Sequence, residues 1–378
     1  MKKLISLGLL LFFAIGTALA QSHETRESRV HISFFPPLST NGRYAAEYTN
    51  NLSLSLLVGI SRNERGAAFA GLANIVKNEA DGVLFAGLYN GVGKKGKGAL
   101  FAGLANVSGG YRGAQFAGLA NVAGNYKGAQ MGGLFNLAGN FDNGFQAGGL
   151  FNLSGNLNRG LQLAGLINAS GNIARGTQIA GVGNVAGNMD RGLQLASLFN
   201  VGGKVNGVQI AALVNIAESS KASIGLINIL GDGEMGIGLA YNEIGNVTAT
   251  FRSGGRVFYG IVGGGYNFQF DDGATVLEGG LGARIHVTPR FRINNELKSA
   301  YIGNFESDET YHYSFSILPA FRLAPKIEIF AGPSLNFLHS DNPALLGDFP
   351  SGTLWDEYGD SSIKQLHVGF AAGMYFQF

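Results

Sequence analysis

A unit of 15 or 16 residues recurs between residues 66 and 230, and this repeat limits the folds open to the chain more than any other feature. The unit reads G-x-Q-x-A-G-L-x-N-x-A-G-N-x-x-x, and the stretch GLQLAGLINASGNIARGTQIAGVGNVAGN (160–188) contains it almost twice. Its asparagine is found at Asn74, Asn90, Asn106, Asn121, Asn136, Asn152, Asn168, Asn184, Asn200, Asn215 and Asn228. Self-similarity at a short fixed period is typical of folds in which each unit packs on the next.

Within each unit, the residues alternate as they do in a β-strand. In Leu161–Ser170, one set of side chains is purely apolar and includes Leu163, whereas the other set contains Gln162, Leu166 and Asn168. A strand directs two such sets to opposite faces, and the high glycine content argues against a helix. We therefore expect one strand per unit.

Charged residues are excluded from these strand segments. The ten segments from Ala67–Val76 to Val208–Ala217 contain no Asp, Glu, Lys or Arg, although these residues make up 14% of the chain. The charges lie between the units, beside Gly-Asn pairs that accept positive φ. A charge-free band of about ten residues has the height of a tilted strand that crosses a bilayer.

The first 20 residues have the features of a secretory signal peptide. Lys2 and Lys3 precede the apolar run Leu4–Ile15, and small residues end the segment at Ala20. The run is too short to span a membrane, and no later run of 18 apolar residues predicts a membrane helix. The chain has no Cys, which excludes disulfides, thiolate metal sites and cysteine-linked lipid. A formal net charge of +2 gives no reason to expect nucleic acid as a partner.

From about residue 234, the strands become longer and differ from one another. Alternation is clear in Thr275–Val287, Phe291–Tyr301, Tyr311–Leu323 and Ile327–Phe337, and in a last strand whose Leu366, Val368, Phe370, Ala372, Met374, Phe376 and Phe378 share one parity. Tight connections alternate with longer ones at Asn304–Thr310 and Ser340–Ser362. Short turns on one side and long loops on the other are typical of outer-membrane barrels.

Two stretches resemble known bacterial proteins. The terminal LHVGFAAGMYFQF resembles the carboxyl-terminal signal of Gram-negative outer-membrane β-barrels, and residues 66–230 resemble a bacterial surface-repeat family built of G-x-Q-x-A-G-L-x-N units. The first resemblance implies outer-membrane lipid and the barrel-assembly machinery as partners, the latter through Phe378. The second implies a surface protein without an established activity. The first three copies depart from the family, because Ala68, Leu84 and Leu100 replace the glutamine.

Alternation places a set of charged residues on the polar face of the tail strands. They are Glu278, Arg284, Arg292, Glu296, Lys298, Arg322 and Glu328. In a barrel, these side chains would either line a pore or pair with one another as a structural network. Trp355 and Tyr358, in the last long loop, are the candidates for an external contact. The Gln and Asn rows of the repeat indicate hydrogen-bonded ladders.

Motifs for cofactors, metals or catalysis are weak. GVGKKGKG (91–98) contains G-x-G-x-x-G, but Gly98 stands where a P-loop needs Ser or Thr, and no helix follows. The six histidines are scattered, and neither HExxH nor a framed G-x-S-x-G is present. We therefore expect no cofactor, no metal and no enzyme.

Two all-β architectures fit these patterns. The first is one large antiparallel transmembrane barrel of about 20–22 strands, with the repeats in its wall, acting as a passive pore or a surface-presentation scaffold. The second makes residues 66–230 a β-solenoid joined to an eight-strand barrel, as a membrane-anchored adhesin or binding module. The expected divisions are a signal peptide (1–20), N-terminal strands (21–65), repeat strands (66–230) and barrel strands (231–378). The expected location is the outer membrane of a Gram-negative bacterium.

Overall fold

The computed structural model describes residues 26–269, 274–304, 309–341, 352–359 and 362–378. These residues form two β-sheets and one short 3-10 helix, Gly42–Glu47, so the all-β class predicted from the sequence is confirmed. Within the described ranges, no helical segment has both the length and the apolar character needed to cross a bilayer. The predicted signal peptide lies outside these ranges.

The first sheet runs from residue 26 to residue 230. Its strands are β1 (Arg26–Phe35), β2 (Leu38–Ser39), β3 (Tyr48–Ser55), β4 (Val58–Ala70), β5 (Ala73–Ala86), β6 (Tyr89–Val92), β7 (Lys95–Ala102), β8 (Ala105–Ala117), β9 (Ala120–Gly132), β10 (Phe135–Gly148), β11 (Phe151–Ala164), β12 (Ile167–Ala180), β13 (Gly183–Met189), β14 (Gly192–Ala196), β15 (Phe199–Val201), β16 (Lys204–Ala211), β17 (Val214–Ala217), β18 (Ser219–Ile224) and β19 (Ile227–Leu230). Apart from the β1–β2 pair, its ladders are parallel.

Equivalent residues of successive repeats lie side by side in these ladders. Asn136 pairs with Asn152, and Gln146 pairs with Gln162. Each repeat is therefore one coil of a β-solenoid that stacks on the coil before it. The N-terminal strands predicted for residues 21–65 belong to the same stack, because β1 pairs with β3 and β3 pairs with β4.

Each coil has two sides and two corners. One corner is the Gly-Leu step, such as Gly149–Leu150 between β10 and β11. The other is the charged segment between repeats, which separates β13 from β14 at Asp190–Arg191. A glycine follows this second corner in most coils, and Gly128 there has φ +134, where a Cβ would also collide with the Gly113 carbonyl oxygen.

The single barrel of about 20–22 strands is wrong, and the solenoid joined to an eight-strand barrel is confirmed. Neighbouring repeats would be antiparallel in such a barrel wall, but Ile167 pairs with Gly183 in a parallel ladder. The physical reason is that the chain turns at each Gly-Leu step. Each ten-residue alternating segment therefore belongs to two short sides of the solenoid and does not form one straight strand. Parallel stacking also lets identical amide side chains bond along the axis.

The solenoid interior contains two amide ladders. The asparagines are fully buried, and each donates to the next, as Asn121 Nδ2 does to Asn136 Oδ1 at 2.9 Å. The glutamines donate in the opposite direction, as Gln146 Nε2 does to Gln130 Oε1 at 2.6 Å. The predicted ladders are thus confirmed. The coils that lack the glutamine bury Ala68, Leu84 and Leu100 at its position.

The second sheet is a closed antiparallel barrel. Its strands are β20 (Glu234–Asn242), β21 (Asn246–Gly254), β22 (Phe258–Asn267), β23 (Ala274–His286), β24 (Phe291–Gly303), β25 (Thr310–Ala324), β26 (Ile327–Ser340), β27 (Thr353–Tyr358) and β28 (Ile363–Gln377). Eight strands close the ring because β28 pairs with both β26 and β20. The strand β27 lies outside the ring and pairs with the part of β28 that runs past β20. Residues 255–257, 287–290 and 325–326 connect strands at one end, called here the tight-turn end.

The last solenoid coil packs on the barrel at the tight-turn end. The asparagine ladder ends on β21, where Asn228 N donates to Ser253 Oγ at 2.9 Å and Asn228 Nδ2 to the Ser253 carbonyl at 3.3 Å. The side chain of Leu226 lies on the outer wall of β23, where a Cβ on Gly279 would be 3.5 Å from Leu226 Cδ2. The barrel therefore continues the solenoid without a linker.

Candidate functional site

The Gly-Leu corners form an apolar edge along the whole solenoid. The corner residues, called here the aliphatic ridge, are Leu72, Leu88, Leu104, Leu119, Leu134, Leu150, Leu166, Val182, Leu198, Leu213 and Leu226. Eight of the leucines have between 38% and 45% of their surface exposed. The sequence pattern placed Leu166 on the same face as the buried Gln162, but the turn at Gly165 moves it to the corner.

An apolar trough runs beside this ridge. One bank is the outer row, whose residues are Phe69, Phe85, Phe101, Phe116, Met131, Ala147, Leu163 and Ile179, and the floor is the Ala-Gly or Gly-Gly step that follows each of them. The first four phenylalanines stack in parallel, with centroids 4.7–5.2 Å apart. The trough has a volume of about 1470 Å³. Side chains of this size, left open to water over many coils, are typical of a binding surface.

The opposite edge of the solenoid is charged and hydrophilic. Its exposed residues include Arg112, Lys127, Asp142, Arg159, Arg175, Asp190 and Arg191. They lie half a coil away from the ridge, so each coil presents one apolar edge and one charged edge. The solenoid is therefore amphipathic across its width.

The barrel is apolar outside and charged inside. Large apolar side chains are exposed on all eight strands of the ring, among them Leu239, Val247, Val262, Leu281, Leu297, Phe315, Ile329 and Met374. In the last strand, Val368, Phe370, Met374, Phe376 and Phe378 are exposed, as the alternation predicted. Phe378 also donates its N–H to the Met235 carbonyl at 3.1 Å, which fastens the end of the chain to β20.

The charged residues predicted for the barrel interior lie there and are paired. Arg292 contacts Glu328 at 2.8 Å and Glu234 at 2.7 Å, and Lys298 contacts Glu278 at 3.2 Å. Arg284 lies 3.5 Å from Glu234.

Two further predicted residues complete this set. Glu296, fully buried, pairs with Arg252 at 3.0 Å and accepts from Tyr259 Oη at 2.8 Å. Arg322, at the mouth, lies 3.9 Å from Glu234 and keeps 32% of its side chain exposed. Their role as pore-lining residues stays a prediction.

Sequence reasoning missed Glu234, Arg252 and Tyr259 as members of this network. Arg252 had a usable signal, since Thr248, Thr250 and Arg252 alternate with Val247, Ala249 and Phe251. Its partner Glu296 lies on β24, three strands away, and only closure of the barrel brings the two together. Such cross-barrel pairs leave no local pattern.

A cluster of metal-type ligands was also missed. Glu243, His312 and His367 come from a turn and two strands, and their donor atoms lie within 4.8 Å of one another. His367 Nε2 is 3.0 Å from Glu243 Oε1, while His312 Nε2 and His367 Nδ1 are buried without a hydrogen-bond partner. Imidazole and carboxylate donors of this kind can hold a divalent transition metal.

The predicted external contact residues lie at the end of the barrel opposite the tight turns. Trp355 and Tyr358 belong to β27 and have exposed fractions of 46% and 65%. They stand beyond the closed ring, on the extension of β28. Residues 342–351, which are part of the same predicted loop, lie outside the described ranges.

Comparisons with known proteins add little to this geometry. No family model matches the chain, and no curated protein matches it. One solved structure found to be similar, described as "De novo design of transmembrane beta-barrels", shares 15% identity, covers 39% of this chain and 94% of its own, and has a TM-score of 0.23. A TM-score this low does not support a common fold.

Proposed function

We propose that this chain is an integral outer-membrane protein whose barrel anchors the solenoid to the membrane as a non-catalytic binding or presentation scaffold. The observation that carries the proposal is the distribution of polarity in the barrel. Large apolar side chains cover its outside, while the acidic and basic side chains of β20 to β26 face inward and are paired. In water this arrangement would leave an apolar belt around the barrel, whereas in a bilayer the belt contacts hydrocarbon.

The interior favours an anchor over a passive pore. An eight-stranded barrel has an interior just wide enough for its side chains to fill it. Here Arg252, Tyr259 and Glu296 meet across the centre, and Arg292 links Glu234 to Glu328. We therefore expect little or no ion flow. The predicted signal peptide and the resemblance of LHVGFAAGMYFQF to an outer-membrane signal support secretion and insertion by the barrel-assembly machinery of a Gram-negative bacterium.

Two measurements on the refolded full chain test this function. Flotation with vesicles tests insertion, and an inserted barrel is expected to stay with the vesicles after an alkaline carbonate wash. Planar-bilayer recording tests the sealed interior, and a silent bilayer is the expected result. Recovery of the chain as a detergent-free soluble monomer would contradict the anchor, and discrete conductance steps would favour a pore.

A further inference from the structure

The apolar edge of the solenoid needs an occupant, because nothing in the described chain covers it. We infer that the ridge and trough bind the acyl chains of phospholipids, so that the solenoid lies along the leaflet at the tight-turn end of the barrel. This inference rests on the proposed function, since the barrel must be in the membrane for the edge to meet that leaflet.

The position of the ridge relative to the barrel is the first support. Leu226, the last ridge residue, contacts the outer wall at Gly279, and the carbonyl groups of Gly225 and Leu226 lie over Gly260 of β22. The ridge therefore starts on the surface that we assign to lipid and continues away from it as one apolar strip. A partner that covers the ridge must be continuous with whatever surrounds the barrel.

The backbone at the ridge is the second support. Peptide groups enter hydrocarbon at low cost only when their hydrogen bonds are made within the protein. From the Leu72 corner to the Leu198 corner, the N–H groups of the ridge residue and of the next residue make such bonds: Leu150 N donates to the Leu134 carbonyl at 2.8 Å, and Phe151 N donates to the same oxygen at 3.0 Å. Leu166 N repeats the bond to Leu150 at 3.0 Å. These turns are thus unlike ordinary loops, whose backbone needs water.

Charge distribution is the third support. With the ridge in the leaflet, the charged edge with Lys127, Asp142 and Arg159 points away from the membrane into water. This is the arrangement of an amphipathic element that lies in the interface with its apolar side about 5–10 Å deep. A soluble protein partner would not require charges to be excluded from every one of ten segments along the solenoid.

The trough fits the shape of hydrocarbon chains. It is long and shallow, its floor is made of Ala and Gly, and its bank is a stack of phenylalanines followed by aliphatic residues. The polar side chains that line it are Ser33 and Ser55 at the first coils, and the amides beneath it are already bonded to one another. Along the remaining coils the surface offers contact area and no directional polar recognition, as expected for lipid tails.

Single-cysteine labelling tests the inference cleanly, because the chain has no native Cys. A small fluorophore is attached in turn to Leu119→Cys on the ridge, Lys127→Cys on the charged edge and Leu297→Cys on the barrel wall. Each full-length variant is reconstituted in phosphatidylcholine vesicles with or without brominated acyl chains, and iodide serves as the aqueous quencher. The labels at 119 and 297 should be quenched several-fold more by bromolipid than the label at 127, which iodide should quench instead.

The pattern of failure separates the two claims. If the label at 297 is quenched by bromolipid but the label at 119 is reached only by iodide, the barrel is inserted and the lipid surface is refuted. If both quenchers spare the label at 119, protein covers the ridge, for example a second copy, and the inference also fails. If bromolipid does not quench the label at 297, the membrane anchor itself is wrong.

A second inference concerns the Glu243–His312–His367 cluster and is independent of the solenoid. We propose that it binds a divalent transition-metal ion of the zinc class. His312 is 4% exposed and its Nε2 has no partner, although buried polar atoms almost always have one. Glu243 is held in place from outside the cluster, because Asn336 Nδ2 donates to its Oε1 at 2.6 Å and Phe370 N to its Oε2 at 3.0 Å. A bound ion would supply the missing partner of His312.

Zinc titration of the refolded full chain by calorimetry tests this site. We expect saturable binding of zinc but not of magnesium, weakened about tenfold or more in His312→Asn. His339→Asn is the matched control, because His339 pairs with Asp341 at 3.7 Å outside the cluster and should leave zinc affinity unchanged. X-ray absorption of the zinc complex should report nitrogen ligands. Absence of saturable zinc binding, or equal affinity in His312→Asn, would overturn the proposal.

Discussion

At the residue scale, the solenoid depends on amide side chains that have no contact with water. Asn136 is fully buried, accepts from Asn121, and donates both to Asn152 at 2.9 Å and to the Ala147 carbonyl at 2.6 Å. Each buried asparagine bonds across the coil and along the axis at the same time. A ladder of this kind makes the neighbour of every coil a copy of itself, which explains why the residue recurs at each coil.

Asn136→Ala should therefore destabilise the solenoid by about 1–3 kcal/mol or more, because it leaves Asn121 and the Ala147 carbonyl without their partner. Urea unfolding of the detergent-solubilised chain, followed by circular dichroism, measures the change. Asn158→Ala is the control, since Asn158 makes its bond to Asp142 on the exposed edge. Equal midpoints for the two variants would show that the ladder contributes little.

Glu64 should make the first coils of the solenoid more stable in mild acid than at neutral pH. Burial raises the pKa of this carboxyl above its ordinary value of 4.5, although bonds from Ser53, Ser61 and Asn50 partly oppose the shift. The folded state thus binds the proton more tightly than the unfolded state, and stability falls as pH rises from about 4.5 through the raised pKa. The protection factors of the β3 and β4 amides, which are corrected for the intrinsic pH dependence of exchange, should be higher at the acid end of this window.

Glu64→Gln provides the control for that pH effect. The uncharged side chain keeps an oxygen that can accept from Ser53 Oγ, the partner at 2.7 Å in the native protein. Protection of β3 and β4 should then no longer depend on pH in this window. A pH dependence that survives the substitution would assign it to another group.

At the element scale, the sequence predicted strands well but not their neighbours. Alternation located the tail strands and their outward faces, because a pleated strand shows its two faces in its own residues. The direction of pairing in the repeats could not be read in this way. It depends on the turn at each Gly-Leu step, which changes which residues share a face, as Leu166 illustrates.

The same limit applies to the candidate sites. The seven charged residues were assigned to one face from local alternation, and they lie in the barrel interior. Their partners could not be assigned, because Arg252 and Glu296 meet only when eight strands close into a ring. Glu243, His312 and His367 are far apart in the sequence and share no spacing motif, so only the fold brings them together.

The Arg252–Glu296 pair should be a strong determinant of barrel stability when one partner is removed. Both side chains are almost fully buried, at 3% and 0% exposure. Arg252→Met removes the cation beside Glu296 and leaves only the hydrogen bond from Tyr259, and breaking a buried ion pair in this way costs about 3–5 kcal/mol. The double variant Arg252→Met, Glu296→Gln should recover much of the loss. The temperature at which the barrel unfolds in dodecyl sulfate gels measures both.

Arg322→Gln is the matched control for that pair, since its contact with Glu234 is 3.9 Å long and partly exposed. Its unfolding temperature should stay close to that of the native chain. If Arg252→Met behaves like Arg322→Gln, the central ion pair does not stabilise the barrel, and the case for a sealed interior weakens.

At the scale of the whole molecule, one apolar surface connects two different folds. The outside of the barrel and the edge of the solenoid are both covered with exposed Leu, Ile, Val and Phe, and they meet at Leu226. The charged side chains of β20 to β26 lie inside the barrel, and those of the solenoid lie on the edge of the coils opposite the ridge. The repeats thus keep charge out of the ten-residue segments around each ridge residue although they do not form a barrel wall.

Leu163→Arg and Arg175→Leu separate the two edges of the solenoid. Leu163 lines the trough, whereas Arg175 is exposed on the charged edge. Leu163→Arg should reduce the yield of vesicle-inserted protein with a protease-resistant solenoid, because it places charge against lipid. Arg175→Leu should have little effect. Equal yields from the two variants would argue against lipid contact at the trough.

The most direct test of the whole arrangement is a distance between two spin labels on the charged edge. Arg112 and Arg191 lie five coils apart, and parallel strands stack about 4.8 Å apart, so nitroxides at these two positions in vesicles should be about 24 Å apart. If the repeats were antiparallel wall strands, an odd number of turns would place the labels on opposite sides of the membrane. A distance greater than the bilayer core of about 30 Å would contradict the solenoid anchored by a barrel.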